Sequence, residues 1–122
     1  MLLSERITGL IERVRCLDDT REIAAILYVD AQARIIDTRI MEGASDHLDL
    51  PMAQILQQGR ALRASRLLML HTHPSGNPRP SPHDMTTTRL LCARLRRQGQ
   101  KLADHIILTR NAYFSFRANR ML

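Results

Sequence analysis

The segment from residue 71 to residue 84 carries two histidines, a serine and an aspartate among prolines and a glycine. His71 and His73 are two positions apart, so their side chains project to the same side of an extended chain. Imidazole and carboxylate groups are good zinc ligands, and a catalytic zinc usually has three protein ligands with water in the fourth position. His71, His73 and Asp84 therefore predict a metal site that keeps one position open for water.

Glu22 is the candidate proton acceptor for such a site, because a metal-bound hydroxide is made by removing a proton from water. It is the first residue of a short apolar run, so its carboxylate could face the metal from the end of a neighbouring strand. A carboxylate in that position can take a proton from water and pass it to a leaving group. The Ser81 hydroxyl could donate a hydrogen bond to the oxyanion that forms when water attacks a carbonyl group.

Each of these residues also has an ordinary structural interpretation. Ser81 and Asp84 have the spacing of a helix start, where serine caps the first turn and a carboxylate follows three positions later. His71 and His73 could be loop histidines bonded to carbonyl groups, and Glu22 alone could be a solvated carboxylate at a strand end. The conjunction of all five residues in this order, rather than any one of them, favours the metal site.

The elements around these residues follow from apolar periodicity and turn signals. Three helices are predicted over residues 4–16, 50–63 and 82–98, with Ser4 as the cap of the first. Five strands are predicted over residues 22–29, 34–41, 66–71, 104–108 and 112–117. The order predicts an α/β fold in which a mixed sheet is flanked by helices. The strand over 66–71 is expected to be central and to deliver the histidines to the end of the sheet.

The composition places the chain among soluble proteins with one compact domain. It has 122 residues, of which 44% are hydrophobic and 25% are charged. Cys16 and Cys92 are far apart and predict neither a disulfide framework nor a thiolate metal site. Charge appears before any apolar segment of signal-peptide length, and the longest apolar run, 23–29, is too short to span a membrane. We therefore expect a cytoplasmic protein without membrane contact.

The site residues match a known pattern. They resemble the JAMM motif of JAB/MPN-domain metallohydrolases, in which a strand-borne glutamate precedes His71-x-His73-Pro74, six further residues and Ser81-x-x-Asp84. Three segments also resemble the RadC-like branch of that superfamily, namely residues 73–81, 104–107 and 113–116. The resemblance runs from about Glu22 to the C-terminus.

This resemblance implies a single RadC-like JAB/MPN domain over residues 1–122, with an α/β fold akin to that of cytidine deaminases. It implies Zn²⁺ held by His71, His73 and Asp84. It also makes Glu22 the general acid/base and Ser81 the residue that stabilises the oxyanion. RadC-like proteins usually carry an N-terminal helix-hairpin-helix region, and only 21 residues precede Glu22 here, so we expect that region to be absent.

Two positions depart from the pattern of the RadC-like branch. Thr72 stands between the histidines where the family tends to have asparagine, and Pro51-Met52 stands where an Arg-Glu pair usually begins the second helix. The metal ligands are intact. The departures bear on contacts with a substrate or partner.

Proven members of the wider superfamily hydrolyse isopeptide or peptide bonds, so the resemblance implies a zinc-dependent hydrolase with a peptide or protein substrate. The alternative is a catalytically silent module that associates with DNA or protein and keeps the metal for stability. The net charge of +6 permits DNA binding, although the arginines are dispersed rather than clustered. A zinc nucleobase deaminase is disfavoured because the Pro-Cys-x-x-Cys ligands of that class are absent. The oligomeric state is open, and the final strand could offer an exposed edge to another chain in a dimer.

The remaining histidines are assigned to the scaffold. His83 is predicted to face solvent in the first turn of its helix, with substrate contact as the alternative. His105 is predicted to be a hydrogen-bonded structural histidine, with a supporting contact to the metal site as the alternative. His47 lies in a loop with no evident partner.

Overall fold

The computed structural model describes residues 3–122, with side chains from Glu5 onward, and contains three helices and five strands in that range. The helices are α1 (Leu3–Arg15), α2 (Met52–Leu62) and α3 (Pro82–Arg97). The strands are β1 (Ile23–Val29), β2 (Ile35–Glu42), β3 (Arg66–Thr72), β4 (Lys101–Leu108) and β5 (Tyr113–Ser115). The predicted element order is confirmed. The predicted cap at Ser4 lies outside the described side chains.

The five strands form one mixed sheet in the order β2-β1-β3-β4-β5. Strand β1 is antiparallel to β2 and β3, β4 is parallel to β3, and β5 is antiparallel to β4. The parallel pair requires a crossover, and α3 supplies it. The central position of β3 is confirmed, and α3 therefore begins at the same end of the sheet as the last residues of β3.

Helices cover both faces of this sheet, and each face has its own apolar core. Strand β1 is buried along its whole length, as its continuous apolar sequence predicts. On one face Val14 of α1 belongs to the same apolar cluster as Leu27 and Leu70, and on the other Leu91 of α3 belongs to the same cluster as Tyr28. None of the helices within residues 3–122 has the length and apolar character that a membrane crossing needs.

The last two strands differ from their predicted bounds. Strand β4 begins at Lys101 rather than at residue 104, because Lys101 and Leu102 already pair with the start of β3. Strand β5 ends at Ser115, so the prediction that it runs to Arg117 is wrong. The cause is Asp104, which accepts the Arg117 backbone N–H at 2.9 Å and the Ser115 hydroxyl at 2.6 Å and so turns the chain out of the ladder.

Gly59 lies within α2, where glycine usually weakens a helix. A β-carbon at this position would lie 2.9 Å from Gln100 Oε1. Gln100 is buried there because its amide nitrogen donates to the carbonyl groups of Gly59 and Ala64, at 2.8 and 2.7 Å. The glycine therefore allows a polar contact that joins α2 to the start of β4.

Candidate metal centre

Four predicted site residues from three separate segments meet at one end of the sheet. His71 is the second-last residue of β3 and His73 directly follows that strand, while Asp84 lies in the first turn of α3. Glu22 directly precedes β1, the antiparallel neighbour of β3, and the register that pairs Ala24 with His71 brings it alongside. The atoms of these four residues that could ligate a metal all lie within 4.8 Å of one another.

Each histidine of the cluster faces a carboxylate. His71 Nε2 lies 2.5 Å from Glu22 Oε1, and His71 Nδ1 lies 3.8 Å from Asp84 Oδ1. His73 Nε2 lies 3.1 Å from Asp84 Oδ2. All four side chains are at least nine-tenths buried, so water screens these charges weakly.

His73 is oriented by its other ring nitrogen. Nδ1 lies 2.9 Å from the Asn77 carbonyl oxygen, which can only accept, so Nδ1 carries the proton and donates it. The lone pair of Nε2 is therefore directed at the cluster. The loop that brings Asn77 back is closed by Gly76, whose φ of +87° lies in the left-handed region that favours glycine. Metal-binding histidines are typically oriented in this way, by a hydrogen bond from the nitrogen that does not bind.

His71 has the opposite feature, because its Nδ1 atom is buried without a hydrogen-bond partner among the described residues. A buried polar atom left unpaired costs about 1–3 kcal/mol. A cation shared with the Asp84 carboxylate would give this atom a partner. Two imidazoles with carboxylate oxygens are also a donor set that suits zinc and similar divalent metals. The cluster therefore fits a metal site.

The electrostatics of the cluster favour a bound cation. Burial alone would raise the pKa of Asp84, but hydrogen bonds with His73 and with the Ser81 backbone hold it well below its usual range. Burial would likewise lower the pKa of His73, but the contacts with Asp84 and the Asn77 carbonyl raise it above its ordinary value. Asp84 is therefore ionised at neutral pH, and the negative charge attracts a proton or a metal ion to the neighbouring imidazole.

Ser81 forms a capping box with Asp84 at the start of α3. The Ser81 hydroxyl accepts the Asp84 backbone N–H at 3.0 Å, and Asp84 Oδ2 accepts the Ser81 backbone N–H at 2.9 Å. The ordinary structural interpretation of these residues is thus correct. The cap also fixes the Asp84 carboxylate in the cluster, and the hydroxyl proton of Ser81 stays free to be donated.

Thr72 has a role here that the sequence did not reveal. Its Oγ1 atom accepts the Ile23 backbone N–H at 2.8 Å, in a buried contact between β3 and the first residue of β1. This bond holds the segment that carries Glu22 beside His71. The residues involved are 49 positions apart, so only the strand order could identify the contact.

His105 lies behind the cluster on β4. Its ring stacks on His71 with centroids 5.6 Å apart and on Phe116 at 4.4 Å, and its Nδ1 lies 2.8 Å from Thr88 Oγ1. Burial is the main cause that lowers the pKa of His105 to about 3, and the neighbouring His71 side chain acts in the same direction. His105 is therefore neutral at physiological pH, and it has the structural hydrogen bond that its sequence context predicts.

The two other histidines lie outside the cluster. His83 is exposed in the first turn of α3, as predicted, with Nε2 3.2 Å from Asp49 Oδ1. His47 does have a partner, contrary to expectation, because its Nδ1 lies 3.1 Å from Asp46 Oδ1. That hydrogen bond raises the pKa of His47 above its ordinary value.

A groove of about 990 Å³ opens beside His73 and runs between the end of α1 and the ends of β3 and β4. Its rim carries charges of both signs, including Asp19 and Arg110, which form an ion pair of 3.2 Å. The groove gives a molecule larger than water a route to the edge of the cluster.

The sequence matches the family model of the RadC-like JAB domain over residues 4–121. The match includes every residue of the cluster and nearly the whole chain. The chain therefore belongs to the RadC-like JAB domain family, in agreement with the resemblance of its motifs.

Proposed function

We propose that this member of the RadC-like JAB domain family is a zinc-dependent hydrolase that cleaves a peptide or isopeptide bond in a peptide or protein substrate. The observation that carries the proposal is the buried cluster of Glu22, His71, His73 and Asp84, whose possible ligand atoms lie within 4.8 Å of one another. The neighbouring groove supports it by giving a chain-like substrate access to the cluster.

His71, His73 and Asp84 would hold the Zn²⁺. When bound, a catalytic zinc lowers the pKa of its water to about 7 and polarises a carbonyl oxygen. Two imidazoles and one carboxylate leave a position open for that water, as a catalytic rather than a structural site requires.

Glu22 is the proposed general acid/base. It directly precedes β1, and its carboxylate lies 2.5 Å from His71 Nε2, whereas Asp84 lies beside Nδ1 of the same ring. From there it can take a proton from the attacking water and return it to the leaving nitrogen. Its position also permits direct metal binding, so metal content and activity must be measured separately.

Ser81 is the proposed oxyanion donor. Its oxygen accepts the Asp84 backbone N–H, and the hydroxyl proton remains available for a substrate oxygen. Removing one such donor typically slows an enzyme by about 10²–10³. Ser81→Ala would also remove the helix cap, whereas Ser81→Thr keeps both the cap and a hydroxyl donor and is the matched control.

The test combines metal analysis with hydrolysis of a peptide and isopeptide library. Wild type should contain one zinc per chain, and His71→Ala should lose it. Glu22→Gln should keep the zinc and lose hydrolysis, which separates the base from the ligands. Absence of stoichiometric zinc in the wild type, or full activity of Glu22→Gln, would contradict the proposal.

A second candidate function is a non-catalytic DNA-associated or protein-interaction module with a structural metal, and one feature favours an anionic partner. A cavity of about 360 Å³ at the start of β4 is lined by Arg96, Lys101 and Arg117, with no acidic side chain among its lining residues. Affinity for duplex DNA, measured against salt, should then fall steeply, and Arg96→Ala should reduce the slope. No binding at low salt would rule out DNA as that partner.

Cysteine usage bears on the compartment. Cys16 and Cys92 are both free, and Cys16 is exposed. Exposed free thiols persist in reducing compartments. We accordingly place the activity in the cytoplasm, and fractionation of cells that produce the tagged chain would test this.

A further inference from the structure

The two edges of the sheet differ in length and surface. Strand β5 has three residues, whereas β2 has eight and carries Ile36 and Ile40, which are 37% and 51% exposed. No strand within the described residues pairs with the outer side of β2. A long open edge with exposed isoleucines is the kind of edge to which another strand adds.

The backbone of β2 has the correct orientation for such an addition. The Gly43 N–H donates to the Glu22 carbonyl at 2.8 Å, which sets the phase of the antiparallel ladder with β1. Hydrogen-bonded pairs alternate along such a ladder, so between Asp37 and Glu42 the odd-numbered residues bond β1, whereas the backbone N–H and C=O groups of the even-numbered residues point away from β1. Consistently, the Thr38 N–H is accepted by the Asp37 side chain at 2.8 Å rather than by β1.

The sequence of β2 is complementary to itself when reversed. In an antiparallel pair centred on Thr38, Ile36 lies opposite Ile40 of the second copy, and Asp37 lies opposite Arg39 of the second copy. The symmetry repeats both contacts. Opposite charges and apolar side chains are the cross-strand pairs that stabilise a sheet. Because Thr38 points its backbone groups outward, this centre also forms a hydrogen-bonded pair.

We propose that β2 pairs with β2 of a second copy of this chain, about a two-fold axis at Thr38, and joins the two sheets into one. The interface is isologous, as in most symmetric dimers. In the monomer the Asp37 carboxylate accepts hydrogen bonds from the Gln58 side chain and the Thr38 backbone N–H, both at exposed positions. In the dimer these contacts are replaced by a contact with Arg39 of the second copy. The bulge opposite Val29 limits the ladder to the segment beyond Ile35, so the interface is small and the dimer depends on concentration.

The pairing does not cover the cluster formed by Glu22, His71, His73 and Asp84. The cluster lies at the end of the sheet where β2 finishes and β1 begins. A two-fold axis at Thr38 places the second cluster at the opposite end of the joined sheet. The dimer is therefore independent of the proposed hydrolysis, and its failure would leave that proposal unaffected.

The test uses charge reversal and analytical ultracentrifugation over a range of concentrations. Wild type should approach twice the chain mass of 14.0 kDa. Asp37→Arg and Arg39→Asp each place like charges opposite one another twice, and each should raise the dimer Kd by about tenfold or more. An equimolar mixture of the two variants restores opposite charges and should form a heterodimer with nearly the wild-type Kd.

Two further variants separate pairing from folding. Asp37→Arg with Arg39→Asp in one chain restores opposite charges and should again form a homodimer. Thr38→Pro removes an outward N–H, which an edge strand tolerates, and should give a folded monomer by circular dichroism. A wild type that stays monomeric at every concentration, a dimer unaffected by the single reversals, or a mixture that fails to associate would overturn the proposal.

Discussion

His71 and His105 are buried histidines on neighbouring parallel strands, and both face α3. The helix presents Asp84 to His71 and, one turn later, Thr88 to His105. Within the part of the chain that the structure describes, each ring has one nitrogen without a hydrogen-bond partner. The partner on α3 makes the difference: a carboxylate supplies negative charge that a cation can balance, whereas a hydroxyl supplies none. Burial then lowers the pKa of His105 to about 3, so that this imidazole stays neutral. Burial of a histidine alone does not make a metal ligand.

The largest effect should follow from removing the negative charge of Asp84, which distinguishes the surroundings of His71 from those of His105. Asp84→Asn keeps the size of the side chain but replaces an anionic ligand with a neutral amide. We expect the Kd for zinc to rise more than about 100-fold, beyond the 10–100-fold typical of residues that only orient a ligand. Competition with a chromogenic chelator measures it. An unchanged Kd would show that the two histidines hold the metal without this carboxylate.

The matched change at His105 should lower the stability of the fold rather than the affinity for zinc. His105→Phe keeps an aromatic ring against Phe116 but leaves the Thr88 hydroxyl without its partner. We expect the free energy of unfolding to fall by about 1–3 kcal/mol, as for other unpaired buried groups. Urea unfolding measures this loss, and the zinc content should stay at one per chain. Loss of the zinc would mean that His105 supports His71 more directly than a stacking contact allows.

A smaller effect is expected from a change at Thr72, which lies between the two histidines of the cluster in the sequence. Thr72→Val removes the oxygen that accepts the Ile23 N–H without changing the shape of the side chain. The unfolding free energy should fall by about 1 kcal/mol. Because Glu22 is displaced while the ligands are not, kcat should fall with little change in the zinc Kd. Thr72→Ser retains the hydroxyl and should restore kcat. Full kcat in Thr72→Val would contradict this role of the hydroxyl.

The smallest effect should follow from Asn77→Ala. His73 Nδ1 bonds the backbone carbonyl of Asn77, whereas the Asn77 side chain accepts the Arg79 N–H at 3.1 Å in an exposed turn. Exposed contacts of this kind contribute little, so we expect the zinc Kd to change by less than about twofold. Isothermal titration calorimetry is sensitive enough to detect a larger change. Such a change would show that the side chain, and not only the backbone, orients His73.

Prediction succeeded where the information is local. Alternation along a strand directs the side chains of His71 and His73 to the same side of the strand, and the spacing of Ser81 and Asp84 indicates a helix start. The helix start is present as a capping box, and the histidines lie at the end of the central strand as expected. Glu22 was predicted from its place at a strand start together with the family resemblance, and the structure brings it to the cluster.

Prediction failed where distant residues decide the outcome. Strand β5 ends early because Asp104 takes the Arg117 N–H, a contact across 13 positions that no local pattern contains. The support that Thr72 gives to the start of β1 was likewise invisible, since threonine between two histidines indicates only a strand. The self-complementary sequence of β2 acquires meaning only once the strand order places it at an edge.

The sequence by itself therefore determined which residues could bind a metal and which way they point within their own elements. Tertiary structure alone decided the contact of Glu22 with His71, and the difference between His71 and His105. The physical reason is that periodicity sets the direction of a side chain within one helix or strand. The register between strands, and the turn of α3 that faces each of them, set which charge that side chain meets.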